Sequence, residues 1–164
     1  MKSIFPIALL FFAGMSSPAF AGAEHDHDHQ PGKKQSAHAS ASGTPGDPAK
    51  VSRTIAVDMD DTMRFAPARI AVKRGETVRF LVKNSGKLKH EMVLGPMKEL
   101  KKHAALMRKF PEMEHDDPNQ VEVDPGKAGE IVWRFSRSGN VDFACLQPGH
   151  FEAGMVGKIT VTKG

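Results

Sequence analysis

Short segments in which apolar and polar residues alternate fill the chain from Val51 to Gly164. Turns that contain glycine or proline separate most of them; RGE, for example, separates ARIAVK from TVRFLVKN. The segments are RTIAVDM, ARIAVK, TVRFLVKN, HEMVLG, NQVEV, GEIVWRF, NVDFACL and MVGKITVTK. A period of two is typical of half-buried strands, and strands at this spacing favour an antiparallel sandwich or barrel. About seven or eight strands fit the span, which is enough for a core between two sheets.

One segment between the predicted strands has helical periodicity instead. It opens with Pro96, carries lysines on its polar side and ends at Pro111. Its apolar stripe consists of Met97, Leu100, Ala104 and Met107. This spacing predicts an amphipathic helix. We therefore expect an all-β domain over residues 51–164, with one helical insertion at about residues 96–110.

The first 21 residues have the features of a secretory signal peptide. Lys2 supplies a positive charge, residues 4–13 are apolar, and small residues lead up to Ala21. The apolar run is short for a membrane span, and the sequence offers no second one downstream. We expect export to a bacterial periplasm and no membrane span in the mature form; the alternative is a retained N-terminal anchor.

Residues 22–50 are dominated by Ala, Ser, Gly, Pro, His and Asp and show no apolar periodicity. Such a composition predicts a disordered tail. The motif EHDHDHQ within it places histidines at His25, His27 and His29. Histidine-rich tracts bind metal ions loosely, so we expect weak metal capture here; the alternative is a solubilising tail with incidental histidines.

The net charge of +4 is mild and its lysines are dispersed. The sequence has no aromatic RNA-binding motif and no recognition-helix pattern, so nucleic acid is not an expected partner. A basic surface favours acidic proteins or anionic membrane surfaces.

Cys145 is the single cysteine of the chain. In an oxidising compartment a lone cysteine is an intermolecular link, a free thiol or a metal ligand. It ends an apolar run, and His150 and Met155 follow at even spacing around a Pro-Gly turn. Thiolate, thioether and imidazole together favour copper, whereas zinc rarely takes a thioether. The second histidine such a site needs is expected to be His90; the alternative is that Cys145 and Met155 are ordinary core residues.

The motif CLQPGHFEAGM resembles the Cys–loop–His–loop–Met signature of the cupredoxins, the type 1 copper proteins. DDTMRF, GKLKHEMVLG and GHFEAGMVGKI together are similar to periplasmic cupredoxins linked to copper tolerance. The resemblance implies a Greek-key β-sandwich that binds one type 1 copper ion per chain. The ligands it implies are His90, Cys145, His150 and Met155.

The sequence departs from that family in two ways. Glu91 follows the upstream histidine where many cupredoxins carry an asparagine that braces the cysteine loop, and the helical insertion is longer than in plastocyanin-like members. We expect the side chains of Glu91 and Asn84 to contact and support the ligand residues without binding the metal themselves.

Family resemblance also assigns surface roles. His150 would be the electron port, with Pro148 and Phe151 as an apolar rim for a transient redox partner. Lys87 and Lys89 closely precede His90 in sequence and would attract an acidic partner, or are ordinary solvated lysines.

Methionines outside this loop raise the question of a second, softer copper site. His103 and Met107 are one helical turn apart, and Met113 and His115 lie in a polar segment. Packing in the core is the alternative explanation for each methionine.

Three functions fit these observations. The first is a one-electron carrier that contributes to copper tolerance and is not an enzyme. The second is a copper-sequestering protein that uses the histidine tail and the methionines. The third is a slow copper(I) oxidase; a multicopper enzyme is disfavoured, because His-x-His pairs occur only in the tail.

Overall fold

Two five-stranded sheets make up the fold in the computed structural model, which describes residues 43–113 and 116–164. Numbered along the chain, the strands are β1 (Thr44–Pro45), β2 (Arg53–Asp60), β3 (Arg64–Ala66), β4 (Arg69–Lys73), β5 (Thr77–Asn84), β6 (His90–Gly95), β7 (Gln120–Val123), β8 (Ala128–Arg134), β9 (Gly139–Ala144) and β10 (Val156–Thr162). Helix α1 spans Met97–Met107, and a short 3-10 helix spans Pro48–Lys50. The expected all-β sandwich with one helical insertion is confirmed.

The spatial order of the strands is β1-β8-β5-β2-β3 in the first sheet and β4-β10-β9-β6-β7 in the second. β2 pairs with β5, and β4 with β10, in parallel; the other pairings are antiparallel. These two pairs differ from the antiparallel arrangement that the alternating segments favoured. Alternation reports which residues face the core, but it carries no information on the direction of the neighbouring strand.

The core lies between the sheets and is filled by alternate residues of the strands. Phe80 and Trp133 come from the first sheet and Phe143 from the second, and all three are fully buried. Phe65 packs edge-on against Phe143 with ring centroids 4.9 Å apart. Such aromatic pairs stabilise a core beyond the burial of their area.

Residues 44–50, which precede the predicted domain boundary at residue 51, have a defined structure. Thr44 and Pro45 pair with Trp133 and Arg134 of β8, and the Asp47 side chain accepts a hydrogen bond from the Ala49 N–H at the 3-10 helix. The end of the predicted disordered tail is thus wrong for residues 44–50. An edge strand pairs through main-chain groups that every sequence has, so apolar periodicity does not reveal it.

Residues 1–42 lie outside the described part of the chain. The predicted signal peptide and the histidines His25, His27 and His29 fall within them. Across the residues that are described, no helix combines the length and the apolar character needed to cross a membrane.

Helix α1 covers the outer face of the second sheet. Its buried residues Leu100, Ala104 and Met107 pack in one cluster with Ala144 and Leu146, next to Cys145 in the chain. The end of β9 is therefore buried on both faces, because Phe143 and, just after the strand, Cys145 belong to the central core.

Gly157 in β10 is the position at which we expect a single methyl group to disturb this core. It pairs with Phe143, and a Cβ atom there would overlap the Phe143 ring. Overpacking of this kind costs about 1–3 kcal/mol, so Gly157→Ala should lower the free energy of unfolding in urea by that amount.

The matched control is Thr160→Ala, an exposed position on the same strand. It should change the free energy of unfolding by about 0.5 kcal/mol or less. Equal stability of the two variants would contradict the tight packing of Phe143 against Gly157.

Candidate metal centre

Strand pairing brings the two sequence regions of the centre together. β6 and β9 are antiparallel neighbours, with Val93 opposite Ala144. The first residue of β6, His90, therefore lies at the same edge of the sheet as Cys145, which follows the last residue of β9. The Glu91 N–H points at the thiol across this edge, with its nitrogen 3.4 Å from Sγ of Cys145.

The loop between β9 and β10 closes on itself. The Cys145 N–H donates to the Met155 carbonyl at 3.1 Å, and the Met155 N–H donates to the His150 carbonyl at 3.0 Å. The His150 N–H donates to the Gln147 carbonyl at 3.0 Å. The Met155 side chain is fully buried in the same core cluster as Cys145. Main-chain bonds thus fix Cys145, His150 and Met155 relative to one another.

Three side-chain donor atoms converge at this edge. Nδ1 of His90 lies 3.1 Å from Nδ1 of His150, which lies 3.3 Å from Sγ of Cys145. All three atoms are within 4.8 Å of one another. Within residues 43–113 and 116–164, this is the one group of three or more His, Cys, Asp or Glu side chains close enough to hold a metal ion. Two imidazoles and a thiol, with a buried thioether in the same loop, are a donor set that fits copper.

Burial controls the protonation of the thiol and of His150. It raises the pKa of Cys145 to about 12, and it lowers the pKa of His150, to which the neighbouring His90 adds. In the metal-free chain the thiol is therefore protonated at neutral pH and His150 is neutral. A cation at these atoms reverses the preference of the thiol, because a coordinating thiol is deprotonated outright.

Glu91 braces the cysteine loop. Its side chain is 5% exposed, and its Oε1 accepts a hydrogen bond of 2.9 Å from the Leu146 N–H. Burial raises the pKa of this carboxyl to about 7. The carboxyl group of Glu91 thus holds the main chain of the residue next to Cys145.

Asn84 holds the loop that precedes His90. Its side chain is fully buried, and its Nδ2 donates to the carbonyls of Leu88 at 2.7 Å and Val123 at 2.9 Å. Its Oδ1 accepts from the Gly86 N–H. Asn84, expected to support the ligands, thus makes three hydrogen bonds. They hold the path of residues 84–88 and tie it to β7.

Asp61 belongs to the same arrangement, and sequence reasoning assigned it no role. Its carboxylate accepts from the N–H groups of Lys87 and Leu88 and lies 3.2 Å from Nε2 of His90. The main-chain bonds are the largest cause of its lowered pKa. The motif DDTMRF contains this residue, but a carboxylate 29 positions from its partner leaves no periodic signal.

Among the expected docking residues, Pro148 and Phe151 lie beside the half-buried His150 in the chain, and Lys87 and Lys89 precede His90. Pro148 is exposed, and Phe151 is partly buried against the cluster beneath helix α1. Lys87 and Lys89 are exposed. Lys89 pairs with Glu122 at 2.8 Å and with Asp124 at 3.7 Å, so part of its charge is balanced within the chain.

Little in the described residues brings the auxiliary ligands together. Met113 is partly buried and lines a groove of about 280 Å³ with Met107 and Glu91, but Met107 is buried in the helix cluster, where packing explains it. His103 lines a different, smaller pocket. His115 lies outside the described residues, as do the tail histidines.

Removing the Glu91 brace should destabilise the chain. Glu91→Ala leaves the buried Leu146 N–H without its acceptor, which costs about 1–3 kcal/mol in the free energy of unfolding. Glu91→Gln retains a carbonyl oxygen of the same reach and should stay within about 1 kcal/mol of wild type. Urea unfolding of the metal-free variants measures both.

Glu122→Ala is the control, because Glu122 faces Glu91 across the β6–β7 pairing but is half-exposed. It should cost about 1 kcal/mol or less. If Glu91→Ala is no less stable than Glu122→Ala, the brace does not contribute to stability.

Comparison with known proteins agrees with this geometry. The family model for copper-binding proteins of the plastocyanin/azurin family matches residues 51–162. The chain is 51% identical to a copper-resistant cuproprotein, CopI, of Rubrivivax gelatinosus, over 95% of each protein. It is 40% identical to the CopI of Pseudomonas aeruginosa, over 76% of this chain and 84% of that protein.

Solved structures show the same fold. Auracyanin B superposes with a TM-score of 0.62 at 23% identity, covering 73% of this chain and 96% of its own. A reduced auracyanin of Roseiflexus castenholzii gives 0.59 at 22% identity, covering 68% and 98%. The match to the family model and the identity to the CopI proteins together establish that this chain belongs to the plastocyanin/azurin family of copper-binding proteins, the cupredoxins.

Proposed function

We propose that this protein is a periplasmic one-electron carrier that contributes to copper tolerance through a type 1 copper site. The proposed ligands are His90, Cys145, His150 and Met155. The observation that carries the proposal is the convergence of two imidazole nitrogens and a thiol sulfur within 4.8 Å at a buried edge of the second sheet.

Copper bound at these residues supplies a one-electron couple between its monovalent and divalent states. His90 and His150 would bind it through Nδ1, Cys145 would bind it as the thiolate after losing its proton, and Met155 would offer a weak thioether. Because the main-chain bonds of the β9–β10 loop fix three of the four, the ligands rearrange little when the charge of the site changes. A site that stays in place transfers an electron without a large reorganisation of its surroundings.

His150 is the proposed route for the electron. Its ring is half-buried, whereas that of His90 is fully buried, so His150 is the ligand that reaches towards solvent. Pro148 and Phe151 beside it offer an apolar contact, and Lys87 is exposed nearby in the loop that leads to His90. A transient partner with acidic residues around an apolar centre fits this surface.

A second candidate function, copper sequestration, is favoured by the names of the relatives. They are called copper-resistant cuproproteins, which describes tolerance of copper and not transfer of electrons. In this role the tail histidines would add weak copper capture to the single type 1 site.

Cys145→Ser tests the type 1 site. The wild-type chain loaded with copper(II) should show an intense thiolate-to-copper band in the visible spectrum, and the variant should lose it, because serine offers no thiolate. Met113→Leu is the control: it removes a sulfur outside the cluster and should keep both the band and one copper per chain. A colourless wild-type chain would contradict the assignment.

The triple variant His25→Gln, His27→Gln, His29→Gln tests sequestration while preserving the length of the chain. Loss of three imidazoles should remove loosely held copper(II), reduce survival of the host in copper, and leave the visible band unchanged. Bound copper per chain and host growth are the measurements. Sequestration by the tail is refuted if neither quantity changes.

A further inference from the structure

The buried ligand His90 has a charged partner on the side that faces away from the other ligands. Its Nε2 lies 3.2 Å from Oδ1 of Asp61, while its Nδ1 faces His150. His90 is fully buried, and the Asp61 side chain is 36% exposed. One ring nitrogen therefore faces the metal centre and the other a carboxylate at the surface.

Two further bonds fix this carboxylate in place. Oδ2 accepts from the Lys87 N–H at 2.8 Å, and Oδ1 accepts from the Leu88 N–H at 3.1 Å. Asp61 thus contacts both the loop that leads into β6 and the ring at the start of that strand. Its orientation does not depend on His90 alone.

Gly86 makes room for Asp61. A Cβ atom at this position would collide with the Asp61 carboxylate oxygen and approach its Cγ to 2.9 Å. The lack of a side chain at Gly86 is therefore a requirement of the Asp61–His90 contact. The close approach thus depends on both Asp61 and the glycine at position 86.

The contact decides which nitrogen of His90 carries the proton. An ionised carboxylate only accepts hydrogen bonds, so Nε2 of His90 must be the donor, and in the neutral ring Nδ1 then keeps its lone pair. That lone pair points at His150 and Cys145. The ring is thereby held in the tautomer and the orientation that a metal ion requires.

We propose that Asp61 is a positioning residue that fixes the metal-binding tautomer of His90 and lowers the reduction potential of the copper centre. This inference rests on the proposed type 1 site. The potential falls because a negative charge hydrogen-bonded to a ligand raises the basicity of that ligand and stabilises the divalent ion more than the monovalent ion.

Asp61→Asn tests the effect on potential, because the amide preserves the size of the side chain and removes its charge. Loss of such a partner weakens metal binding by about 10- to 100-fold. We expect copper(II) affinity to fall about tenfold more than copper(I) affinity, which raises the potential by about 59 mV for a one-electron couple. Redox titration of the visible band measures the shift.

Asp58→Asn is the matched control. Asp58 lies three residues earlier and accepts a hydrogen bond from the Ser85 hydroxyl. It loses the same charge in the same region but is not the residue that faces His90. Its potential should stay close to wild type; equal shifts in the two variants would overturn the proposal.

Gly86→Ala provides a second variant in which the carboxylate keeps its charge but is pushed off His90. It should raise the potential in the same direction as Asp61→Asn. An unchanged potential in a folded Gly86→Ala variant would count against the contact as the cause.

Nitrogen NMR of the metal-free wild-type chain tests the tautomer without copper and without a variant. His90 should carry its proton on Nε2, and a proton on Nδ1 instead would overturn the proposal. The wild-type visible band separates the two levels of inference. A missing band refutes the type 1 site, whereas a normal band with no selective effect of Asp61 refutes only the role of this carboxylate.

Discussion

The antiparallel pairing of β6 with β9 is the constraint on which the centre depends. It places the first residue of one strand beside the end of the other, although 54 positions separate Glu91 from Cys145 in the chain. The contact between the Glu91 N–H and the Cys145 sulfur links this strand pairing directly to the metal centre. A slip of one residue in β6 would turn His90 to the opposite face of the sheet and away from Cys145. The register of the two strands therefore determines which side chains meet at the metal centre.

Two carboxylates hold the centre from different sides, and they work differently. Glu91 is buried and accepts a hydrogen bond from the main chain next to Cys145, so its effect is on the shape of the loop. Asp61 is partly exposed and acts on the ring of His90, so its effect is on the proton and the charge of a ligand. Each of the two residues adds a hydrogen-bonding carboxyl group next to the site. Burial alone would favour an uncharged thiol there.

The sandwich, the helix and the loop that carries Cys145, His150 and Met155 could be predicted from sequence because each leaves a local pattern. His90 leaves none, and its place rests on the second imidazole that a copper site needs and on the resemblance to the cupredoxins. Strand and helix periodicity identified the elements, and the Cys–His–Met spacing identified the loop. What escaped prediction has no such pattern. Thr44–Pro45 and Arg64–Ala66 are too short to alternate, and the direction of β2 against β5 depends on how the chain crosses between sheets. Asp61 meets His90 only through the fold.

The helical insertion has a consequence for how the family can vary around this centre. Helix α1 packs on Ala144 and Leu146, either side of Cys145, and Arg108 just past its end pairs with Glu152 in the ligand loop. The insertion thus connects β6 to β7 and also packs against the loop that carries Cys145 and His150. A homologue that shortens this segment would uncover the back of the cysteine and would need another element to close it. Changes in the length of the insertion and in the composition of the loop should therefore occur together.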